Sequence, residues 1–209
     1  MLELILARHG QTFWNKECRF QGWKDSPLTE RGVRQAKKLA GFLQGKNIDF
    51  IFSSDLGRAK ETAAFIIQHH PESMVEFVKE LREISFGLLE GKTWQEAADK
   101  VPSLFELETK DSLTIPHPRG ESFEQLKERV EKVLEKILKL QDRTVLLVSH
   151  EGVCRTLLQI LFNLGFEERG KVVQPHEIVY LIRISGNSKE CEWFNIETGE
   201  KGEGFFLEG

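Results

Sequence analysis

The chain has 209 residues, a net charge of −4, and hydrophobic and charged shares of 40% and 30%. This length suits one α/β domain with an inserted cap better than two independent domains. The composition is typical of a globular protein and, lacking a surplus of basic residues, does not favour a nucleic-acid binder. Positive charge for an anionic substrate would have to be concentrated locally.

The first half of the chain alternates predicted strands and helices. Leu2–Ala7 is apolar enough for a buried strand. Thr29 is placed as the N-cap of an amphipathic helix, and Asp49–Ser53 forms the next predicted strand. Ser54 or Asp55 is expected to cap the helix that follows.

The middle of the chain begins regularly and then loses its pattern. Met74–Leu81 alternates well enough for a third strand. Two short helical pieces, Trp94–Lys100 and Ser103–Thr109, then lie among prolines without clear periodicity. This stretch, at about residues 85–121, is interpreted as a cap insertion over a site.

Regular structure returns at Ser122, which with Gln125 makes a capping box for an amphipathic helix. The elements predicted after it are a strand at Thr144–Ser149, an apolar helix at Gly152–Leu164, and strands at Glu177–Ile184 and Cys191–Ile196 around a hairpin at Ser185–Ser188. The glycine-rich end, Gly199–Gly209, is expected to be a loose tail.

Strands that alternate with helices predict an α/β fold, with a mostly parallel central sheet and helices on both faces in a three-layer sandwich. We expect residues 1–209 to form one domain, with the cap as its insertion. No apolar run approaches the ~18 residues that a membrane span needs, and the start has no basic segment or cleavage site for export. A cytoplasmic location and three reduced cysteines are therefore expected.

Charged and imidazole side chains follow several of the predicted strands. Arg8 and His9 follow the first, Arg58 lies just past the second, and His150 follows the fourth. Ligands of open α/β sheets bind outside the carboxyl ends of the strands, so these residues should converge there. Two arginines and two histidines make a pocket suited to a phosphate dianion.

The residues around His9 favour catalysis over simple binding. Nearby cations disfavour its protonation, and the neutral imidazole is the nucleophilic form. Gly10 is expected to let the backbone approach a ligand and to leave N–H groups free for an oxyanion, and Asn15 can donate a further hydrogen bond. Glu83, after the third strand, is the candidate proton donor, because a bound phosphate dianion favours the protonated carboxyl.

These motifs resemble the signature of the histidine phosphatase superfamily, the phosphoglycerate-mutase-like proteins. The motifs that carry the resemblance occur in the expected order as Leu6–Asn15, Gln21–Trp23, Asp25–Gly32, Ser53–Arg58, Glu83–Gly87, Glu90–Gly91, Gly120–Ser122 and Val148–His150. They cover most of the chain. An isolated Arg-His-Gly triplet is weakly specific, whereas the ordered set is highly specific.

The resemblance implies a phosphohistidine nucleophile at His9, a phosphate pocket of Arg8, Arg58 and His150, and Glu83 as the proton donor. The expected phosphate- and substrate-binding residues are Gly10, Asn15, Gln21, Gly22, Glu151 and Gly152. The family needs no metal or other cofactor, and no competing metal cluster is evident in the sequence. One departure is Glu151, which stands where glycine commonly follows the second histidine. Its carboxylate must point away from the phosphate or meet a cation.

Three functions compete. The preferred one is a metal-independent phosphomonoesterase of the phosphatase branch, acting on a small phosphorylated metabolite. The alternatives are a phosphoglycerate mutase-type transferase and a non-catalytic module that binds a phosphorylated ligand. A mutase needs a second cationic site, but the acids of Lys92–Pro116 outnumber its lysines. No nucleic-acid or membrane partner is expected, and a homodimer is a possible assembly.

Other histidines and aromatic residues are interpreted first as structural. His117 and His176 are expected in loops, where either is a candidate for contact with the substrate. The aromatic residues Trp14, Phe20, Trp23, Phe86 and Trp94 are expected mainly in the core. Any of them that line the leaving-group pocket would favour an apolar or aromatic moiety. The substrate itself cannot be read from the sequence.

Overall fold

The computed structural model describes residues 1–102 and 114–207, and within them the strands form one mixed sheet. The strands are β1 (Leu2–Arg8), β2 (Phe50–Ser54), β3 (Met74–Val78), β4 (Thr144–Ser149), β5 (Ile178–Ser185), β6 (Ser188–Asn195) and β7 (Lys201–Glu203). Their order across the sheet is β3-β2-β4-β1-β5-β6-β7. The first four in this order pair in parallel, and β5, β6 and β7 are added by antiparallel pairing. The predicted α/β fold with a mostly parallel central sheet is confirmed.

Helices cover both faces of this sheet. They are α1 (Phe13–Lys16), α2 (Glu30–Leu43), α3 (Gly57–Ile67), α4 (Trp94–Lys100), α5 (Phe123–Leu138), α6 (Glu151–Phe162) and α7 (Phe166–Lys171), with 3₁₀ turns at Lys79–Leu81 and Gly87–Leu89. Alternate residues of β1 point to opposite faces. Leu4 and Leu6 lie in the apolar cluster under α5 and α6, whereas Ile5 and Ala7 lie in the cluster under α2 and α3. The central strands are therefore buried on both sides, which gives three layers.

Side-chain caps begin two of the long helices where the sequence predicts. The Thr29 hydroxyl accepts from the Gly32 N–H at the start of α2. Ser122 and Gln125 form the reciprocal capping box of α5. Such caps stabilise a helix by about 1 kcal/mol each. The apolar faces that follow add more, since each fully buried aliphatic side chain contributes roughly 1.5–3 kcal/mol.

Parallel pairing brings the ends of the central strands to one edge. Arg8 at the end of β1 is in register with Ser149 at the end of β4. The His9 N–H donates to the Ser149 carbonyl at 3.0 Å, so His9 and His150 emerge beside each other. β2 ends on the same edge, next to β4.

The third strand is shorter than predicted. β3 ends at Val78, and Lys79–Leu81 forms a 3₁₀ turn. The carbonyls beyond the strand bond to side chains instead of to a neighbouring strand. Arg129 Nη1 donates to Glu80 O at 2.6 Å, and Ser149 Oγ donates to Leu81 O at 2.7 Å. This turn carries the chain from the edge of the sheet toward the ends of the central strands.

Neither Ser54 nor Asp55 caps α3, contrary to the prediction. Leu56 occupies the N-cap position and makes no side-chain cap. The Asp25 carboxylate, from a distant loop, accepts from the Gly57 N–H at 2.6 Å. Asp55 turns instead to Arg82, which donates to it twice at 2.6 Å. A bidentate guanidinium is the stronger partner for a carboxylate, so it outcompetes the local cap.

The second half of the chain departs from prediction mainly at its end. The apolar helix runs from Glu151 to Phe162 and ends because Asn163 adopts the left-handed conformation, with φ of 53°. The expected loose tail is instead ordered up to residue 207. β7 pairs with β6, and Phe206 packs edge-on against Trp193 with ring centroids 4.9 Å apart. The unpaired edge of β6 and the adjacent apolar surface account for this order.

Backbone hydrogen bonds join the two segments at which the predicted cap departs from the main fold and returns to it. The Glu121 N–H donates to Ser85 O at 2.9 Å, and the Leu88 N–H donates to Pro118 O at 2.9 Å. α4 confirms the helical piece at Trp94–Lys100, whereas Ser103–Thr109 lies outside the described residues. The division into a single domain and a cap remains a prediction. Of the helices in residues 1–102 and 114–207, none combines the length and apolar character that crossing a bilayer requires.

Candidate active site

His9 presents one ring nitrogen as a free base. Its side chain is buried directly after β1, and Nδ1 lies 2.7 Å from the Gly10 carbonyl oxygen. Because a carbonyl only accepts, Nδ1 carries the ring proton and Nε2 keeps its lone pair. The Arg58 Nε–H, 3.2 Å away, donates to this Nε2. The geometry therefore selects the tautomer that a nucleophilic histidine needs.

The surroundings of His9 also keep it neutral. Burial is the largest cause, and Arg58 the next, of a pKa of His9 well below its ordinary value. A low-dielectric site penalises the charged imidazolium, and nearby cations repel it. The expectation of a neutral His9 gains here a cause that the sequence does not show, which is burial.

Arg58 reaches His9 from the first turn of α3 and is itself buried. Its guanidinium donates to Gly22 O, Lys24 O and Asp25 Oδ1 at 2.8–2.9 Å. These contacts fix the plane of the guanidinium and leave Nε directed at His9. Burial lowers the pKa of Arg58, and the Asp25 charge opposes that effect.

His150 lies beside His9 and is fully buried at the N-cap of α6. The two rings meet edge-on with centroids 5.1 Å apart. Nε2 of His150 hydrogen-bonds Ser54 Oγ at 2.9 Å, while Nδ1 has no partner in the described part of the chain. Burial and Arg58 hold the pKa of His150 well below its ordinary value. A buried nitrogen without a partner is a suitable contact for a ligand.

Arg8 and Glu151 form an ion pair at the same edge. Arg8 Nη1 donates to Glu151 Oε2 at 2.7 Å and to Gln174 O at 3.0 Å. The second oxygen of Glu151 is 3.7 Å from Arg155 Nη1, one helical turn further along α6. The carboxylate that replaces the expected glycine therefore meets cations, as the sequence analysis required.

Glu83 is held at the edge of the cavity that contains His9. Its carboxylate accepts from the Ile84 N–H at 2.9 Å and the Gly152 N–H at 3.2 Å. Its backbone carbonyl accepts from Trp23 Nε1 and Arg129 Nη2 at 2.9 and 2.8 Å. A Cβ on Gly152 would lie only 2.3 Å from Glu83 Oε1, so the glycine makes room for this carboxylate.

Glu90, the other nearby carboxylate, has a structural role. Oε1 accepts from the N–H groups of Trp23 and Phe86 and from the Ser85 hydroxyl at 3.0–3.3 Å. Oε2 accepts from the Lys24 N–H at 3.2 Å. A carboxylate that joins two loops in this way is not placed to deliver a proton to a ligand.

Gly10 does not play the part expected of it. Its N–H donates to Thr62 Oγ1 at 3.0 Å and is therefore not free for an oxyanion. A Cβ on Gly10 would lie 2.3 Å from the Gly32 carbonyl oxygen, so glycine is needed where these two backbones touch. Close packing between segments explains why this position is glycine.

Asn15, Gln21 and Gly22 all line the cavity. Asn15 Oδ1 accepts from both the Thr12 N–H and the Thr12 hydroxyl at 3.0 Å, which leaves its amide NH₂ to donate. Gln21 Oε1 is buried and has no hydrogen-bond partner among the described residues. Gly22 has φ of +57°, and its carbonyl accepts from Arg58. Of the predicted site residues, Gly10, His150 and Gly152 are not part of the cavity lining.

The sequence did not predict the positions that two further residues take in this geometry. Asp25 orients Arg58, and its position within a family motif was the available signal. His176, expected in a loop, hydrogen-bonds the His9 carbonyl through Nδ1 at 2.6 Å. Burial and Arg8 lower the pKa of His176 to about 3. No local pattern reveals this contact, because the two histidines are far apart in the sequence.

The cavity has a volume of about 360 Å³ and two chemically different sides. The cationic side presents Arg8, His9 and Arg58, and the aromatic side presents Phe20, Phe86 and Trp94. The ring of Phe20 stacks on Trp94 at 5.7 Å and meets Phe86 at 5.0 Å. Trp14 and Trp23 are not part of the lining. Within residues 1–102 and 114–207, no three His, Cys, Asp or Glu side chains converge as metal ligands.

Residues 4–197 match the model of the histidine phosphatase superfamily, branch 1. The chain belongs to this superfamily. A curated relative, the metal-independent phosphoserine phosphatase of Arabidopsis thaliana, is 38% identical over 159 residues, which span 74% of this chain and 66% of the relative. The Escherichia coli protein named "Probable phosphoglycerate mutase GpmB" is 38% identical over 165 residues, 78% of this chain and 76% of that protein.

Solved structures agree with this placement. YhfR of Bacillus stearothermophilus superposes with a TM-score of 0.78 at 32% identity, covering 90% of this chain and 94% of its own. The α-ribazole phosphatase of Shigella flexneri gives a TM-score of 0.82 at 26% identity, covering 90% and 93%. The protein is therefore a superfamily enzyme of the phosphatase or mutase-like type.

Proposed function

We propose that the protein is a metal-independent phosphomonoesterase that works through a phosphohistidine at His9. The observation that carries the proposal is that His9, with an unprotonated Nε2, and the carboxyl group of Glu83 line the same cavity. A module that only binds a phosphorylated ligand has no need of a neutral nucleophile and a carboxyl acid together. The third function considered, a non-catalytic binder, is therefore disfavoured.

The first step transfers the phosphoryl group to the protein. Nε2 of His9 forms a bond to phosphorus, the bond from phosphorus to the ester oxygen breaks, and Glu83 gives its proton to that oxygen. Arg8, Arg58 and the buried His150 surround the phosphoryl oxygens. Their positive charge and N–H groups stabilise the charge that builds up there in the transition state.

The second step returns His9 to its starting state. A water molecule forms the new bond to phosphorus, the bond from phosphorus to Nε2 breaks, and Glu83 accepts a proton from the water. Inorganic phosphate leaves the cavity. The same carboxyl thus acts first as general acid and then as general base.

The charge pattern supports hydrolysis over transfer to a second hydroxyl. A mutase must hold a second phosphoryl group at the outer side of the cavity. Of the described residues that line the cavity, Arg19 is the only cation besides Arg8 and Arg58. It donates to Glu17 and Glu96 at 2.8 and 2.9 Å, so its charge is already compensated.

The aromatic side supports a leaving group with an apolar face. Phe20, Phe86 and Trp94 line the same cavity as the cationic residues. An apolar or aromatic group stacked there gains affinity from burial and from ring contacts. We therefore expect aryl and aralkyl phosphates to be better substrates than small anionic phosphates such as phosphoglycerate.

The proposal is tested by replacing the nucleophile. We expect His9→Ala to abolish phosphate release from phenethyl phosphate, because the imidazole of His9 is the group that attacks phosphorus in the proposed mechanism. The wild-type protein, quenched in alkali during turnover, should carry phosphate on His9. His69→Ala, at an exposed position after α3, serves as the control and should retain full activity. Near-wild-type turnover by His9→Ala would contradict the mechanism.

Metal independence is tested separately. Arginines and histidines supply the positive charge in the proposed mechanism, so we expect full activity in excess EDTA. Loss of activity that a divalent ion restores would indicate a different phosphatase chemistry. Phosphate release is the measurement in both conditions.

A further inference from the structure

Glu151 places a negative charge inside a pocket that otherwise suits an anion. It is the first residue of α6 and borders the same cavity as Arg8 and His9. Its Oε2 accepts from Arg8 Nη1 at 2.7 Å, with the Arg8 side chain 15% exposed and that of Glu151 30% exposed. The pair is close and partly shielded from water, so it is stronger than an ordinary surface ion pair.

The same guanidinium is needed by a phosphoryl group beside His9. Arg8 Nη1 donates one hydrogen bond to Glu151 and one to the Gln174 carbonyl. Arg8 Nε is buried and has no partner among the described residues. Carboxylate and phosphate use the arginine fork in the same way. A phosphate that takes up the Nη1 donor must displace Glu151, and if Glu151 stays, the two anions repel each other.

Glu151 has an alternative partner when it is displaced. Arg155 lies one turn later on α6, with Nη1 3.7 Å from Glu151 Oε1. Arg155 is held in place through Nη2, which donates to the carbonyls of Arg169 and Gly170 at 3.1 and 2.9 Å. A small rotation of the Glu151 side chain would replace its ion pair with Arg8 by one with Arg155, so the carboxylate would stay paired.

We propose that Glu151 is a built-in competitor for phosphate at Arg8, which weakens the binding of inorganic phosphate and speeds its release. The inference rests on the proposed function only in that phosphate binds beside His9. This competition makes Glu151 a residue that sets product affinity.

The test is a calorimetric titration of inorganic phosphate into the wild type, Glu151→Gln and Glu177→Gln. Glutamine keeps the size of Glu151 but removes its charge, so we expect phosphate to bind about tenfold more tightly. Glu177 borders a neighbouring cavity that Arg8 and Glu151 also line, and in the described part of the chain it makes no contact with Arg8. Glu177→Gln should leave the affinity unchanged. Melting curves check that all three proteins are folded.

Inhibition by the product phosphate provides a second measurement. In Glu151→Gln the inhibition constant of phosphate should fall by the same factor as the dissociation constant. Unchanged or weaker binding by Glu151→Gln, or no detectable binding, overturns the inference. Equal tightening in Glu177→Gln also overturns it, because that result reports only the loss of a nearby charge. If no ester is hydrolysed, the proposed function fails while the titration still decides this inference.

Discussion

The carboxylate of Glu83, the proposed proton donor, is fixed by two backbone N–H groups, and its backbone carbonyl accepts from Trp23 and Arg129. A general acid matters most when the leaving group is a poor one, such as an alkoxide. We expect Glu83→Gln to lower kcat for alkyl phosphates on the order of 10²-fold. The loss for p-nitrophenyl phosphate should be smaller, since p-nitrophenolate leaves without a proton. Steady-state kinetics on both esters measure the difference.

Glu80→Gln is the matched control for this experiment, because Glu80 lies three residues before Glu83, in the turn Lys79–Leu81, and is not part of the cavity lining. It should leave both rates unchanged. Equal losses on the two esters in Glu83→Gln would count against Glu83 as the acid. Glu151 would then be the next candidate, since Glu90 already accepts from four donors.

At the residue scale, the sequence predicts best those side chains that follow a strand directly. His9, Arg58 and His150 were predicted in this way, and the structure brings them together. The part played by Gly10 was predicted wrongly, because the Gly32 backbone that crosses it lies in another segment. The contact of His176 with His9 depends on tertiary structure alone and has no local signal.

At the scale of elements, α3 shows how a distant loop can take over a local function. Asp25 supplies the cap that Ser54 and Asp55 were expected to provide, and the same carboxylate holds Arg58. One side chain thus links the start of the helix to the orientation of the arginine that donates to His9. The capping box of α5 was predicted correctly because both of its members lie within the same turn. Caps from elsewhere in the chain have no such spacing.

Replacing Asp25 tests this link. We expect Asp25→Asn to keep an acceptor for the Gly57 N–H but to lose the charge that fixes Arg58. kcat/KM for phenethyl phosphate should fall about tenfold, since a misplaced arginine stabilises the transition state less. The cap is only weakened, so the unfolding free energy should fall by no more than about 1 kcal/mol.

Two comparisons separate positioning from general destabilisation in Asp25→Asn. Asp49→Asn removes a carboxylate that caps the start of β4 and pairs with Arg143, at the opposite end of the sheet. It should lower stability without a tenfold loss in kcat/KM. An Asp25→Asn protein with wild-type kcat/KM would show that Arg58 is held well enough by the two carbonyls.

For the whole molecule, the alternation of strands and helices predicted the parallel half of the sheet and its two helical layers. The turn residues at Ser185–Ser188 predicted the hairpin of β5 and β6, which is confirmed. The sequence did not predict that this hairpin joins β1 in antiparallel fashion or that β7 extends it. Nor did glycine content predict the tail correctly, because Phe205 and Phe206 pack against the apolar cluster under α5 and α6. Glycine content does not predict disorder in a segment whose aromatic residues can be buried against the rest of the protein.

The buried histidines should make stability depend on pH in mildly acidic solution. The pKa of His9 and of His150 is held well below 6.5, mainly by burial, and that of His176 is lowered to about 3 for the same reason. Each stays neutral in the folded protein, whereas in the unfolded chain each binds a proton below about pH 6.5. The unfolded state then binds more protons, so stability falls as the pH falls.

The expected size of this effect can be measured by urea unfolding at about pH 6.5 and about pH 5. Each histidine that remains neutral should account for a loss of roughly 1.6 kcal/mol between these two values, or about 5 kcal/mol for three. Such a loss is a large part of the 5–15 kcal/mol typical of whole domains. His176→Gln keeps a donor for the His9 carbonyl but cannot titrate, and should reduce the loss by about 1.6 kcal/mol. The carboxylates Asp49 and Asp55, whose pKa values lie below 3.8, titrate outside this window. An equal loss in wild type and His176→Gln would show that His176 is protonated in the folded protein.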